Sequence, residues 1–128
     1  MSKIITSTEV EQFKKDGAVL IKGKFDNAWI EKLKKGIKKA KERPSPRFVN
    51  HTKDKKLPGY YDDFWTWDLH EEFKDFVFNS PTSKIAAELL EAKKVNLVMD
   101  NWFFREANGY KNGNNIEGKM FPKLWSLG

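Results

Sequence analysis

Between Asp26 and Pro44 the sequence sets Trp29, Ile30, Leu33, Ile37 and Ala40 at helical spacing and puts lysines at 32, 34, 35, 38, 39 and 41. Side chains three and four apart share one face of an α-helix, so this stretch reads as one amphipathic helix over about 27 to 42. Asp26 is placed to cap it, and Pro44 and Pro46 end it. Such an apolar stripe is stabilised mainly by packing on a second apolar surface. The remaining sequence has to supply that surface.

Three further helices are legible. Thr8 with Glu11 forms a capping-box pattern and Gly17 a C-terminal stop, which brackets a short helix with Val10 and Phe13 inward. Asp68 with Glu71 is a second capping pattern, ahead of Leu69, Phe73, Phe76 and Val77. Ser80-Pro81 starts a helix over about 81–92 with Ile85, Ala86, Leu89 and Leu90 buried. "AVLIKG" (18–23) reads as a short strand and 44–59 as a loop. The aromatic block "YYDDFWTWD" (60–68) reads as core rather than as a stacking platform.

The clearest strand comes late, in "VNLVMDNWFFREANG" (95–109). β-Branched and aromatic residues dominate it, and its side chains alternate between two faces. One face carries Val95, Leu97, Met99, Asn101, Phe103 and Arg105. An amide and a guanidinium among apolar neighbours point to a strand that lines a site. Helices first and strands late favour an α+β class. The chain reads as a single domain over 1–128, mainly helical to 92, then strand and an irregular tail.

Composition narrows the function classes. With 128 residues and 18 aromatic side chains (five Trp, ten Phe, three Tyr) the chain can bury a core. It contains no cysteine, which removes disulfides and thiolate metal sites. No apolar run reaches membrane-spanning length and no signal-peptide pattern opens the sequence, so a cytoplasmic protein with no membrane partner is expected. The net charge of +6 is uneven: residues 1–58 carry +9 and residues 59–128 carry −3. Of the 24 positive residues 21 are lysine, whereas bidentate phosphate recognition favours arginine. A solvated lysine face, not a nucleic-acid interface, is the expectation.

Catalytic motifs are absent from the sequence. His51, His70 and Glu72 have the composition of a two-histidine, one-carboxylate iron triad. On a helix, however, positions i and i+2 point about 200° apart, so His70 and Glu72 could not hold one metal. Asp62, Asp63 and Asp68 lie among Trp65 and Trp67, where caps or rim residues are expected rather than a tuned acid. No phosphate loop, nucleophile elbow or HExxH motif is present.

One resemblance extends this reading. Residues 59–109 contain, in order, a Gly-Tyr block, Trp67, His70 and Phe73, then Ser80-Pro81 with 85–90, then Asp100, Phe103, Arg105 and Glu106. "FKKDGAVLIKG" (13–23) adds a helix leading into a glycine-containing segment. This order resembles the N-terminal portion of phytanoyl-CoA dioxygenase-like (PhyH-like) proteins, over about 13–109. The resemblance implies N-terminal helices packed on an incomplete double-stranded β-helix, or cupin-like, sheet. It also implies an oxygenase family that uses Fe(II) and 2-oxoglutarate. Met99, Asn101 and Arg105 would then be cofactor-facing residues on a vestigial pocket wall.

The same resemblance implies an H-x-D iron pair soon after the strand. Aligned on Trp125-Ser126-Leu127-Gly128, Lys119 and Phe121 fall at those positions, and no histidine follows His70. Neither side chain ligates iron. The expectation is a truncated or degenerate relative with no catalytic residue, no metal ligand and no cofactor of its own. The alternatives are a non-catalytic binding or oligomerisation module, and a small basic protein that binds an anion through 32–56. Missing later strands would leave the 95–105 strand and Trp102, Phe103 and Phe104 poorly covered, so homo-oligomerisation through that strand is expected.

Overall fold

A computed structural model describes residues 2–52 and 56–106. The tail at 107–128, with Lys119 and Phe121, and residues 53–55 lie outside the described residues. The described chain is α+β, with four helices and one three-stranded antiparallel sheet.

Helix α1 spans Ser7–Asp16. Its capping box uses Thr6 and Glu9, not Thr8 and Glu11: Thr6 Oγ1 accepts from the Glu9 N–H at 3.2 Å, and the Glu9 carboxylate accepts from the Thr6 N–H at 2.7 Å. Both pairs have the right spacing, and a contact from elsewhere in the fold favours the earlier one. The N–H groups of Ile4 and Ile5 donate to the Glu88 carboxylate at 2.7 to 3.2 Å, which pins the backbone just before Thr6. Gly17 ends the helix in the left-handed conformation, as the sequence suggests.

Residues 18–23 form no strand, contrary to expectation, and Leu20 is largely exposed. Among the described residues no neighbouring strand offers them a ladder. Helix α2 spans Asn27–Glu42, with the Asp26 side chain accepting from the Trp29 N–H at 3.0 Å. Helix α3 spans Glu71–Asn79 and starts at His70 without a side-chain cap, so the Asp68/Glu71 box does not form. A turn closed by Leu69 N–H to Thr66 O, at 3.0 Å, occupies Asp68 instead. Helix α4 spans Thr82–Leu89, and Ser80 Oγ accepts from the Thr82 N–H at 3.3 Å in front of it.

Strand β1 is Val49–Asn50, inside the segment expected to be a loop, and β2 is Tyr60–Phe64. Strand β3 is Asn101–Arg105 only. The expected strand over 95–105 is therefore half as long. Its pairing stops where Phe64 meets Asn101, because Trp65 turns to a φ of 53° and β2 ends there. The sheet order is β1-β2-β3, with Asp62 opposite Val49 on one side and Phe103 on the other.

The core lies between α2, α3 and one face of the sheet. Ile37, Ala40, Phe73 and Trp102 are buried together, with Leu33, Phe48, Tyr61, Trp67 and Phe104 packed around them. Helix α2 approaches α3 closely at Gly36, where a Cβ would sit 2.7 Å from the Phe73 ring. Trp29 meets Phe76 edge-on, whereas Ile30 is half-exposed. Helix α4 packs on α1 and α3. Its Ile85 and Leu89 are half-buried there rather than under α2. Trp102 is 2% exposed, which corrects the expectation that it is uncovered.

Candidate functional site

Pairing in register fixes two different sheet faces. Tyr61, Asp63, Trp102 and Phe104 point to the helices. Tyr60, Asp62, Phe64, Asn101, Phe103 and Arg105 share the opposite face, since Tyr60 pairs with Arg105, Asp62 with Phe103 and Phe64 with Asn101. No described helix covers that face. Asn101 and Arg105 therefore do lie on one face, turned away from the helices. Met99 lies outside the strand and is half-exposed.

The open face has an aromatic floor with polar groups around it. Tyr60 and Phe103 stack at 6.5 Å, the Arg105 guanidinium sits 5.3 Å from the Tyr60 ring centroid, and His51 packs on Tyr60 at 5.1 Å. His51 Nε2 is 3.1 Å from the Asp62 carboxylate. Among the described residues Asn101 Oδ1 is buried without a hydrogen-bond partner, as are His70 Nε2, Glu72 Oε2 and Trp102 Nε1. An unpartnered buried acceptor is costly, and in native structures such groups call for an explanation. The sequence offers His51 and Asp62 only as separate metal-ligand and carboxylate candidates and gives Tyr60 no role, because 44–59 reads as a loop and 60–68 as core. The alternation of Phe48 and Asn50 against Val49 and His51 was the available signal.

Four other titratable residues singled out in the sequence lie elsewhere. Asp63 is fully buried and accepts from Ser45 N–H at 2.8 Å, Ser45 Oγ at 2.5 Å and Phe64 N–H at 2.9 Å. Asp68 lines a groove rim. Glu72 is buried on α3, and burial pushes its carboxyl pKa up; the Lys39 ammonium at 2.5 Å, a backbone N–H and Lys35 together outweigh this and lower it. His70 is buried against the edge of Phe73, not solvated as a first-turn residue would be. His51 lies on the sheet face and His70 starts α3, and among the described residues no three His, Asp or Glu side chains gather to hold a metal. These described residues do not fit an iron centre.

The lysine face of α2 is occupied by carboxylates. Lys32 pairs with Asp75, Lys34 with Glu31, Lys35 and Lys39 with Glu72, and Lys41 with Glu106. Its charge is thus largely answered within the fold, which weakens the anion-binding alternative. Lys53, Lys55 and Lys56 are the other part of that alternative; Lys53 and Lys55 lie outside the described residues, and Lys56 makes an interaction within the fold.

A groove of about 560 Å³ opens at the end of the sheet between Arg47, Trp65, Trp67, Leu69, Phe78, Leu97 and Val98. The Arg47 guanidinium donates to the Phe64 and Trp65 carbonyls at 2.9 and 2.8 Å and holds Trp65 in its left-handed conformation. Among the described residues no helix is long and apolar enough to cross a membrane. Comparisons with protein-family models, curated proteins and solved structures give no match.

Proposed function

We propose that this chain is the N-terminal scaffold portion of a PhyH-like oxygenase fold, supplying one wall of a 2-oxoglutarate pocket but no iron ligands. On this reading the sheet is part of a double-stranded β-helix and the helices cover its outer side. The observation that carries it is the open face, which presents Asn101, Phe103 and Arg105 away from the helical layer. The Arg105 guanidinium on this face is the kind of donor that orients a carboxylate ligand in an apolar pocket. Lys119 and Phe121 at the aligned ligand positions support the loss of iron binding.

Two measurements test the reading. Titration of the isotope-labelled chain with millimolar 2-oxoglutarate should shift the amide signals of Asn101–Arg105 and Tyr60–Phe64, and Arg105→Ala should cancel those shifts. Silence on this face, or shifts unchanged in the variant, overturns the pocket wall. Anaerobic Fe(II) titration with a succinate-release assay should show neither bound iron nor turnover; stoichiometric iron with succinate overturns the rest.

A further inference from the structure

Residues 94–100 connect α4 to β3 without belonging to any helix or strand. Three consecutive apolar side chains there are exposed to solvent: Leu97 at 47%, Val98 at 87% and Met99 at 48%. Among the described residues, none of the backbone groups of 93–99 makes a hydrogen bond. Residues rich in β-branched and apolar side chains, with free backbone donors and acceptors, are a template for strand pairing. Leu69 and Phe78, both more than half exposed, line the same groove as Leu97 and Val98 and widen the apolar patch. Patches of this kind mark interfaces.

We infer that residues 94–100 pair antiparallel with the same residues of a second copy of this chain, about a two-fold axis at Leu97. Charge selects this occupant and this register. With Leu97 opposite Leu97, Val95 meets Met99, Asn96 meets Val98, and Lys94 meets Asp100. Each copy's lysine faces the other's carboxylate, so two opposite-charge pairs close the ends of the ladder. Val95, Leu97 and Met99 of both copies then share one apolar face. A shift of the axis by one residue, to Val98, sets Lys94 opposite Trp102 and loses both pairs. The Asp100 carboxylate accepts from Thr66 N–H at 2.9 Å and Thr66 Oγ1 at 2.7 Å within its own chain, and each oxygen keeps a further lone pair for the partner's ammonium. Trp102 takes no part, because it belongs to its own chain's core. The inference does not rest on the oxygenase-like reading.

The absence of cysteine makes each introduced thiol an unambiguous reporter. Directly opposed residues have Cα atoms about 4.5–5.5 Å apart, within disulfide range. Under mild oxidation Leu97→Cys should therefore give a cross-linked dimer. Val95→Cys alone should not, because the two Val95 positions would lie about 13 Å apart along the strands. A mixture of Val95→Cys and Met99→Cys chains should cross-link. In sedimentation equilibrium the wild-type chain should approach twice its 15.0 kDa mass at high micromolar concentration. Lys94→Glu, which opposes like charges, should weaken that dimer about tenfold. A wild-type monomer at that concentration overturns the inference and leaves residues 107–128 or another protein as the cover. Cross-linking of Val95→Cys as readily as Leu97→Cys overturns the register and the axis with it.

Discussion

Glu106 shows how one side chain closes the end of the sheet. Its carboxylate accepts from the Gly59 N–H at 3.0 Å and the Tyr61 hydroxyl at 3.1 Å, with the Lys41 ammonium 3.6 Å away. The Gly59 hydrogen bond, then Tyr61 and Lys41, hold the Glu106 pKa below its ordinary value, against some burial. Burial, then Glu106 itself, raises that of Tyr61. The signs follow from linkage. A carboxyl whose folded pKa is lowered contributes stability above its ordinary 4.5 and loses it as pH falls through the folded value. A phenol whose folded pKa is raised contributes below its ordinary 10.0 and loses it as pH rises through the folded value. Urea unfolding across the pH range should show both limbs; Glu106→Gln should reduce the acid limb and part of the alkaline one, and Tyr61→Phe should reduce the alkaline limb and part of the acid one. At Gly36 the outcome is steric. Alanine would gain about 1 kcal/mol of helix propensity, but its Cβ at 2.7 Å from Phe73 would overpack the α2–α3 contact. Gly36→Ala should lose about 1 kcal/mol net, since overpacking costs roughly 1–3 kcal/mol, as measured by chemical denaturation.

Helix α2 carries a gradient of burial that its sequence pattern does not reveal. The stripe from Trp29 to Ala40 looks uniform, yet Ile37 and Ala40 are buried and Ile30 is 36% exposed. The sheet and Phe73 meet the C-terminal half of the helix, whereas near its N-terminus Trp29 meets Phe76 of α3 edge-on. Ile37→Ala should therefore cost about 2–4 kcal/mol as a core cavity. Ile30→Ala should stay near about 0.5 kcal/mol, in the range of surface changes. Equal losses at both positions, read from denaturant midpoints at constant m-value, would contradict the gradient. The same element scale separates 95–100 from 101–105. Both stretches have strand composition, but only the second faces β2, since β2 ends at Phe64.

Trp102 is where the layers of the molecule meet. It joins Ile37, Ala40 and Phe73 from the helices, and its ring lies 6.1 Å from Phe48 ahead of β1. Trp102→Ala should cost roughly 3–5 kcal/mol, the usual range for an aromatic core truncation. That is a large part of the stability of a domain this size. Helical circular dichroism and amide protection of the sheet should be lost together. A variant that keeps native helix content while the sheet exchanges freely would show two separate units instead.

The sequence by itself determined the α+β class, α2 with its Asp26 cap, the Gly17 stop and the two faces of 101–105. These follow from local spacing, which each residue carries with it. Tertiary structure decided what local rules left degenerate. Thr6 and Thr8 offer the same capping spacing, and the hydrogen bonds that the Ile4 and Ile5 N–H groups donate to Glu88 favour Thr6. β1 exists because His51 and Tyr60 bring its two residues alongside β2, with His51 N–H donating to Tyr60 O at 2.7 Å. Residues 18–23 and 95–100 have strand composition and no partner strand among the described residues. A strand is a paired structure, so composition proposes it and only a neighbour at the right distance makes it.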